Sequence, residues 1–366
     1  MMTACSGSTI RLSRFAAATP AFPTLERLFD GWLSDPGTIP QRPTADLWQS
    51  LTQQAIGAAL PPLEQRADCG LILATTKGDM AALETWMNAD MTSGTNLTPP
   101  LLADSVDKLA DEFGLSGPRL VISTACSSGL TALIEAAMMV QSGEVRRMLV
   151  CGADVACGFV RDGFNALKAL SPTRCRPFDL RRDGLSLGSA AAACLVTSTR
   201  AESDTDGPCV LMEGWGISSD ATHLTAPDRD ASGLIRAIQQ ALGELTPGEI
   251  DAVFLHGTGT IYNDAMEAQA MRHIFTHAPY LTAAKGFLGH TLGASGVIEI
   301  ALAACMLRHQ RIGAITGLEE PQWPELNFVR HTAVSASLRR ILKTASGFGG
   351  LNAAIVLARV TRGETQ

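Results

Sequence analysis

One cysteine of the chain stands where a thiol can act as a nucleophile. Cys126 follows a short apolar run at residues 120–122, which predicts a buried strand, and apolar residues at helical spacing follow it between positions 130 and 138. A thiol at such a strand-to-helix turn lies near the positive end of a helix dipole, which favours the thiolate. An arbitrary cysteine at such a place is more often a buried residue that begins a core helix, so the context favours a nucleophile and does not prove one.

A histidine stands in a similar position after a second apolar run. His256 follows residues 252–255 and opens the segment HGTGT, whose glycines free the backbone and whose hydroxyls, on Thr258 and Thr260, can contact a polar ligand. A single histidine after a strand is more often structural. The glycines also suggest phosphate binding, but no Lys-Ser/Thr pair follows them, so a P-loop is excluded.

A third segment, KGFLGH, places Lys285 and His290 immediately before a predicted helix. Glu299 lies in that helix among small and apolar residues, where a carboxylate needs a partner, and Lys285 is a suitable one. Taken alone, the segment is equally well explained as a helix N-terminus with an incidental histidine. A fourth segment, SGFGG at 346–350, precedes an apolar strand-like run and taken alone is a flexible turn.

The elements around these segments predict an α/β architecture. Short apolar runs at 71–74, 120–122, 148–151 and 253–255 read as buried strands, and segments of helical periodicity lie at 130–140, 233–242 and 292–307. A Gly/Pro/Asp-rich stretch at 201–208 separates two parts of the chain. We therefore expect one half at 1–200, which carries the cysteine, and another at 201–366, which carries the histidines.

The composition limits the class of protein. The chain has 366 residues, of which 46% are apolar and 18% are charged, so a large interior, a buried subunit interface or both are expected. The net charge of −7 argues against nucleic acid as the main partner. No membrane span is predicted, because the longest apolar run, at 185–196, is too short, and the start of the chain does not resemble a signal peptide. A cytoplasmic location follows, in which the nine cysteines would be thiols; none forms a C-x-x-C pair, so no metal site is predicted.

Taken together and in order, the motifs resemble one family, the β-ketoacyl-acyl carrier protein synthases of the elongating, decarboxylating type, within the thiolase superfamily. The resemblance covers roughly residues 113 to 357. It rests on FGLSGPRLVISTACSSG at 113–129, RPFDLRRDG at 176–184, SSDATHLTAP at 218–227, HGTGTIYND at 256–264, KGFLGHTLGASG at 285–296 and GFGG at 347–350.

The resemblance implies a thiolase-like five-layered αβαβα fold made of two similar halves, in a chain that forms a dimer. It also implies that Cys126 is the acylated nucleophile and that His256 and His290 are the catalytic histidines. A Cys-His-His set separates this type from the initiating synthases, which carry Cys-His-Asn. Phe348 would lie beside the sulfur as a gate, and its backbone N–H with that of Cys126 would form an oxyanion hole.

Further residues take supporting roles by the same resemblance. Lys285 would hold a network that includes Glu299, and Asp264 would support the loop that begins at His256. Thr258 and Thr260 would contact the phosphopantetheine arm, which the acyl carrier protein supplies. The enzyme would need no cofactor of its own.

The activity that the resemblance implies is a decarboxylative Claisen condensation. Malonyl-acyl carrier protein loses CO₂ and extends an acyl chain bound to Cys126, which gives β-ketoacyl-acyl carrier protein. The partners would be the acyl carrier protein and a second synthase chain, in a homodimer or a heterodimer. The alternative is a non-catalytic partner that controls chain length in a heterodimer. Such partners typically lack the cysteine, so the presence of Cys126 favours catalysis.

Three departures from the family pattern bear on the pathway. Residues 188–191 read Gly-Ser-Ala-Ala where the family usually has Gly-Glu-Gly-Ala, and the usual glycine-rich opening strand is replaced by a segment near residues 9–22. The chain is also shorter than elongating synthases usually are. These departures favour a specialised polyketide or polyene pathway over housekeeping fatty-acid synthesis.

A cluster of arginines suggests where the carrier protein docks. Because both proteins would be acidic, docking must rely on a local basic patch. Arg181 and Arg182, with Arg174 and Arg176 beside them, are the best candidates. The alternative is that these arginines pair internally with nearby aspartates.

Overall fold

The computed structural model of the chain describes residues 9–34, 46–88, 101–199 and 208–360. Its helices are α1 (Leu25–Ser34), α2 (Leu47–Ala59), α3 (Met80–Met87), α4 (Leu102–Phe113), α5 (Ser128–Gln141), α6 (Gly158–Ala166), α7 (Ser232–Leu242), α8 (Ile261–Ile274), α9 (Lys285–Leu288) and α10 (Ser295–His309). Its strands are β1 (Ile10–Ala18), β2 (Cys69–Ala74), β3 (Arg119–Ile122), β4 (Arg147–Asp154), β5 (Ala190–Ser198), β6 (Val210–Ser219), β7 (Ala252–Phe254), β8 (Tyr280–Thr282), β9 (Arg311–Ile312), β10 (Val334–Ser335), β11 (Arg340–Gly347) and β12 (Leu351–Arg359).

Ten strands of the described residues form one sheet in the order β3-β2-β4-β5-β1-β6-β12-β11-β7-β8. In the first five strands, β2 runs parallel to β3 and β4, whereas β5 is antiparallel to β4 and β1. In the other five, β7 runs parallel to β8 and β11, whereas β12 is antiparallel to β11 and β6. The second set therefore repeats the topology of the first, and β1 and β6 join the two sets.

The helices cover the two halves of this sheet on both sides and fill the space between them. α2 and α4 pack on strands of the first half, and α7, with α8 against it, packs on strands of the second. α5 and α10 contact strands of both halves. The order of layers is therefore helix, sheet, helix, sheet, helix, as expected for a five-layered αβαβα fold with two similar halves.

The two central helices touch backbone to backbone. A Cβ atom added to Gly129 would lie 2.8 Å from the backbone nitrogen of Val297, and one added to Gly296 would lie 2.4 Å from that of Leu130. Only glycine permits so close an approach. The crossing point brings the start of α5 next to the start of α10, and with them the segments that carry Cys126 and His290.

One described segment is long and apolar enough to cross a membrane, and the sequence analysis missed it. The segment is Leu292–His309, and 89% of it is buried inside the protein. A helix that is apolar all round is expected wherever other elements surround it. The central position of α10 between the two halves of the sheet accounts for its composition.

The predicted strands and helices coincide with observed elements, except that Leu255 lies one residue beyond β7 and residues 292–294 form a 3₁₀ turn before α10. One prediction differs in burial. The run at 120–122 belongs to β3, whose residues are all half-buried. β3 lies at one edge of the sheet, so no strand of the described residues covers its outer side. The segment near residues 9–22 contributes β1, a strand in the middle of the sheet. The division at residue 200 stays a prediction, and residues 200–207 lie outside the described part of the chain.

Candidate active site

Cys126 lies in a tight turn between β3 and α5. The 3₁₀ turn Ala125–Ser127 leads into α5, and Ala125 has a φ of 52°, a left-handed backbone that costs energy for a residue with a side chain. Two hydrogen bonds hold the turn, since the Thr124 N–H donates to the Ser128 hydroxyl and that hydroxyl donates to the Ala125 carbonyl. The strained turn points the thiol into a cavity, where it is buried.

The structure brings both predicted histidines to this thiol. The rings of His256 and His290 are 5.3 Å apart between centroids and nearly perpendicular. One ligand atom from each of Cys126, His256 and His290 lies within 4.8 Å of the others. All three residues line one cavity of about 350 Å³, which we call the histidine cavity. Three residues that are far apart in the sequence therefore meet at a single point.

Both histidines are neutral and donate from the same ring nitrogen. Burial, and then the ammonium of Lys285, keep the pKa of His256 and of His290 well below the usual value. The Nδ1 atom of His256 faces the Lys285 ammonium at 3.2 Å, and that of His290 accepts from the Leu292 N–H. Because Nδ1 is an acceptor in each ring, this network assigns the proton to Nε2. Each histidine thus keeps one N–H for a ligand in the cavity.

A buried cluster of charges supports His256. All three protons of the Lys285 ammonium are used, on the carboxylate of Glu299 at 2.6 Å, on the His256 carbonyl at 2.7 Å and on His256 Nδ1. The pairing predicted for Lys285 and Glu299 is therefore present. A second lysine, Lys343 on β11, also pairs with Glu299, at 2.7 Å. Burial lowers the pKa of Lys343 to about 8.

Two carboxylates hold the loop that begins at His256. Asp264 accepts from the N–H groups of Thr258 and Gly259, and Glu267 accepts from those of His256 and Gly257. Burial raises the pKa of Asp264 to about 7. Asp264 lies where its predicted role requires.

The sequence analysis missed Glu267 and Lys343. Each had a signal in the sequence, namely one charged residue among apolar ones. Glu267 stands between Ala265–Met266 and Ala268, and Lys343 follows Ile341 and Leu342. Buried charges of this kind are seldom left unpaired. The sequence did not show which residues pair with them, so their place in the site was not predicted.

The turn at 347–350 closes the cavity beside the sulfur. The Phe348 backbone N–H hydrogen-bonds to Cys126. The ring of Phe348 lies 5.9 Å from that of Phe164 between centroids and is partly exposed. Thr258 and Thr260, whose hydroxyls are 2.9 Å apart, line the same cavity. These residues lie around the sulfur, and their roles stay predictions.

The protonation state of Cys126 differs from the expectation. The helix dipole was expected to favour the thiolate, but burial raises the pKa of the thiol to about 11. The ammonium groups of Lys285 and Lys77 and the hydrogen bond from Phe348 act in the other direction without offsetting it. Desolvation outweighs the local backbone field because the sulfur is enclosed. The resting residue is a thiol.

Distance alone would let Cys126, His256 and His290 hold a metal ion. The charges around them oppose this, because the ammonium groups of Lys285, Lys77 and Lys343 all act on His290. Positive charge that disfavours the imidazolium also disfavours a bound cation. The arrangement suits a neutral acceptor oxygen or an anion, which the two N–H groups can bind.

The structure contradicts the docking role predicted for Arg182. Its side chain is buried, donates to the carbonyls of Thr260 and Ile261, and lies 4.9 Å from the ring of Trp323. It holds internal loops together and cannot face a partner protein. Arg181 is half exposed but pairs with Asp179 at 3.3 Å and with Glu319 at 2.5 Å, so the predicted basic patch is largely neutralised.

The family of the chain follows from its sequence relatives. The profiles of the β-ketoacyl synthase N-terminal and C-terminal domains match residues 45–201 and 210–319. A 3-oxoacyl-[acyl-carrier-protein] synthase 2 from Coxiella burnetii is 30% identical over 80% of this chain and 75% of its own length. A putative polyketide β-ketoacyl synthase 1 from Streptomyces halstedii is 34% identical over 71% of this chain and 64% of its own length. The chain belongs to the β-ketoacyl synthase family.

Solved structures agree with this assignment. A ketosynthase in complex with its chain length factor from Xenorhabdus doucetiae matches with a TM-score of 0.79 and 26% identity, over 96% of this chain and 98% of that one. A β-ketoacyl synthase from Burkholderia phymatum matches with a TM-score of 0.82 and 24% identity, over 97% of this chain and all of that one. The thiolase-like fold and the class of condensing acyltransferase that the sequence predicted are confirmed.

Among the described residues, all eight cysteines are free thiols. Seven of these eight are buried, and none of them except Cys126 lines the histidine cavity, which agrees with the interpretation of the others as small packing residues. Cys5 lies outside the described residues.

Proposed function

We propose that the protein extends acyl chains by decarboxylative condensation, with Cys126, His256 and His290 as the catalytic residues. The observation that carries this proposal is the convergence of one thiol and two neutral histidines on one cavity. The reaction needs a nucleophile that can hold an acyl group and a pair of donors that can hold an enolate. These three side chains supply both.

The first step is transfer of the acyl group to the sulfur. The sulfur of Cys126 attacks the acyl thioester of the carrier protein, and the carrier's pantetheine thiol leaves with a proton that balances the one lost by Cys126. The backbone N–H of Phe348 already points at the sulfur, and together with that of Cys126 it would stabilise the oxyanion. Phe348 lies between Gly347 and Gly349, which lets its backbone approach the turn of Cys126 this closely.

The second step is loss of CO₂ from the malonyl thioester. Cleavage of the carboxylate leaves its electron pair on the thioester as an enolate. The Nε2–H groups of His256 and His290 donate to the enolate oxygen, and such positioned donors are typically the largest single contribution to catalysis. A neutral histidine donates without surrendering its proton to the enolate, so the low pKa of both rings serves this step.

The third step forms the carbon–carbon bond. The carbanion attacks the acyl-Cys126 carbonyl, the carbon–sulfur bond breaks, and the β-ketoacyl product leaves on the carrier, longer by two carbons. Cys126 recovers its proton from solvent. The decarboxylation itself generates the nucleophile, so the chain needs no cofactor of its own for this chemistry.

The phosphopantetheine arm of an acyl carrier protein would enter through the histidine cavity. Thr258 and Thr260 offer hydroxyls along its wall. The exposed apolar side chains of Leu167, Ile261 and Tyr262 line its mouth and offer a contact surface for a carrier. This mouth replaces Arg182 as the docking candidate, while Arg181 stays a prediction.

A second synthase chain would pair with the free edge of the sheet. β3 lies at that edge, its residues are half-buried, and Leu120, Val121 and Ile122 make it apolar. An apolar strand edge is a template for pairing with another chain. Both a homodimer and a heterodimer with a homologous synthase fit this edge. The solved ketosynthase from Xenorhabdus doucetiae is in complex with a chain length factor, which supports the heterodimer as an arrangement to test.

The pathway is proposed to be a specialised one. The relatives include both 3-oxoacyl-[acyl-carrier-protein] synthases and putative polyketide synthases. The departures at residues 188–191 and at the start of the chain favour a polyketide or polyene product over a fatty acid. A cytoplasmic location is part of the same proposal.

The test is to incubate the full chain with acyl-acyl carrier protein and weigh the intact protein. We expect a mass increase equal to one acyl group on Cys126 and condensation when malonyl-carrier protein is added. Cys209→Ala is a matched control, because Cys209 is half-buried and does not line the histidine cavity. Absence of an acyl adduct together with binding to an active homologous synthase would instead support a non-catalytic chain-length partner.

A further inference from the structure

A second cavity opens on another side of Cys126. It measures about 400 Å³ and we call it the lysine cavity, after Lys77 in its wall. Phe159, Leu292 and Phe348 give it apolar walls, and Thr76 and Ser123 contribute hydroxyls. Neither histidine lines it, whereas Cys126 lines both cavities.

The two cavities suit the two substrates of the proposed reaction. The carbanion forms at His256 and His290, so it must approach the acyl-Cys126 carbonyl from the histidine cavity. The acyl chain then has to extend away from that side. The lysine cavity is a second space in contact with the sulfur, and its apolar walls suit the carbon chain.

Lys77 is unusual in such a cavity because its charge is not neutralised by an ion pair. Its ammonium donates to the Thr76 hydroxyl at 2.8 Å, and no carboxylate of the described residues lies within 4.0 Å of it. The positive charge of Lys77 acts on the active site, because it lowers the pKa of both Cys126 and His290.

Asp154, the acidic group whose pKa Lys77 lowers, is committed to other contacts. Its carboxylate accepts from the Thr75 hydroxyl at 2.8 Å, from the N–H and hydroxyl of Thr76 and from the Gly293 N–H at 2.7 Å. It therefore fastens the loop after β2 to the turn before α10. The ammonium of Lys77 keeps donor capacity for a group in the cavity.

We propose that Lys77 determines acyl specificity by donating a hydrogen bond to an oxygen atom on the acyl chain held by Cys126. This inference rests on the proposed function. A plain alkyl chain in the lysine cavity would displace water from the ammonium without replacing the lost hydrogen bonds, which is costly for a charged group. A chain that carries a carbonyl or carboxylate oxygen would replace that water with a charge-assisted hydrogen bond.

The test compares matched acyl chains on four proteins. The full chain, Lys77→Met, Lys77→Arg and Lys108→Met are incubated with small thioesters of hexanoate, 5-oxohexanoate and adipate, and with the corresponding butanoate, 3-oxobutanoate and succinate. The initial rate of acylation of Cys126 is measured by intact mass. Lys77→Met removes the charge at similar length, Lys77→Arg keeps it, and Lys108 is an exposed lysine on α4 that serves as a charge control.

We expect the wild-type chain to prefer oxygen-bearing chains over the alkyl chain of equal length. Lys77→Met should reduce that preference by about tenfold to a hundredfold, the range expected for a hydrogen bond to a charged group. Lys77→Arg should keep most of it, and Lys108→Met should not change it. A loss confined to the dicarboxylate chains would identify a carboxylate as the ligand, and a loss confined to the oxo chains would identify a carbonyl.

Two results would overturn the proposal. An unchanged preference in Lys77→Met would show that Lys77 does not contact the chain. An equal loss on all chains would show that Lys77 acts on the sulfur alone. If the wild-type chain takes up no acyl group at all, the proposed function fails. Calorimetric binding of the free acids to Cys126→Ala, with Lys77 present or replaced by Met, then still decides whether Lys77 recognises their oxygen atoms.

Discussion

The turn before α5 and the turn before α10 have the same construction and different tasks. In each, a residue with a left-handed backbone opens a 3₁₀ turn, Ala125 with a φ of 52° and Leu292 with a φ of 53°. In each, the helix then begins with Ser-Gly, at 128–129 and at 295–296. The residue after the left-handed one is Cys126 in the first half and Gly293 in the second. The same backbone conformation thus presents a thiol in one half and no side chain in the other.

The serine at the start of each helix shows how the tasks diverged. Ser128 holds the backbone of its own turn through Thr124 and Ala125. Ser295 instead lies 3.1 Å from Nδ1 of His290, the residue that corresponds to Ser123 in the first half. The same position stabilises the turn of Cys126 in one half and contacts the ring of His290 in the other. Duplicated topology therefore does not imply duplicated chemistry.

The largest effect is expected from removal of the Cys126 thiol, because Gly293 at the equivalent position of the second turn has no side chain. Cys126→Ala should abolish acyl transfer completely, because no other thiol of the described residues lines the two cavities. The fold should stay intact, because a smaller side chain fits the same space. Intact mass after incubation with acyl-carrier protein measures the first effect and the midpoint of thermal unfolding the second. Normal chain extension by this variant would contradict the assignment.

The next largest effect is expected at His290, where a substitution should affect decarboxylation and acylation differently. His290→Ala should reduce decarboxylation of malonyl-carrier protein by about 10²–10³, the usual cost of one oxyanion donor. Acylation of Cys126 should fall much less, because it depends on the sulfur and on backbone N–H groups. Release of CO₂ and the acyl adduct are measured separately in the same preparation. A variant that decarboxylates normally and fails to acylate would reverse the roles.

The pH dependence should also differ between the two steps. Burial raises the pKa of Cys126 to about 11, so the thiolate fraction, and with it the acylation rate, should rise by about tenfold per pH unit from neutral pH upward. Both histidines have a pKa well below the usual value and are already neutral there, so decarboxylation should not share this tenfold rise. Only a smaller change is expected near pH 8, where Lys343 loses its charge beside Glu299. Pre-steady-state acylation of a small thioester and CO₂ release measure the two profiles. An acylation rate that is flat above neutral pH would show that the thiol titrates lower than its burial implies.

A smaller effect is expected at Gly293 and tests why this position of the second turn carries no side chain. A Cβ atom at Gly293 would lie 2.7 Å from the Cα atom of Thr75 and 2.8 Å from a carboxylate oxygen of Asp154. Gly293→Ala should therefore lower the free energy of unfolding by about 1–3 kcal/mol, as overpacking typically does. Gly163→Ala in α6 is the matched control, since nothing lies within 4 Å of the added atom, and it should be neutral or slightly stabilising. Chemical denaturation measures both, and equal stability of the two variants would show that the turn can shift.

The sequence predicted those parts of the site that lie within continuous motifs. Cys126, His256 and His290 each follow or precede an element whose periodicity is visible, and the lone Glu299 in an apolar helix required a cation such as Lys285. Contacts between segments were not accessible in this way. Lys343 reaches Glu299 from a strand that no motif connects to it.

Arg181 and Arg182 show the same limit most clearly. They are identical in type and adjacent in sequence, yet one is half exposed and the other is buried beneath Trp323. The sequence could not tell which one faces inward, because tertiary packing decides it. The pKa of Cys126 was misjudged for a related reason, since the helix dipole is a local property and enclosure by distant segments is not.

The contact between Gly129 and Gly296 has a consequence for how the chain is made. A ribosome completes β1 to β5 before it begins α10, so α5 exists for a time without the helix that covers it. The residues of α5 that lie against α10, Gly129 and Leu130 among them, then face water. We expect a fragment ending at residue 199 to bind a hydrophobic dye and to be digested rapidly by protease, and adding the second half as a separate chain should reverse both. A helper that shields apolar surface during synthesis would then raise the yield of the whole protein more than any change at its surface.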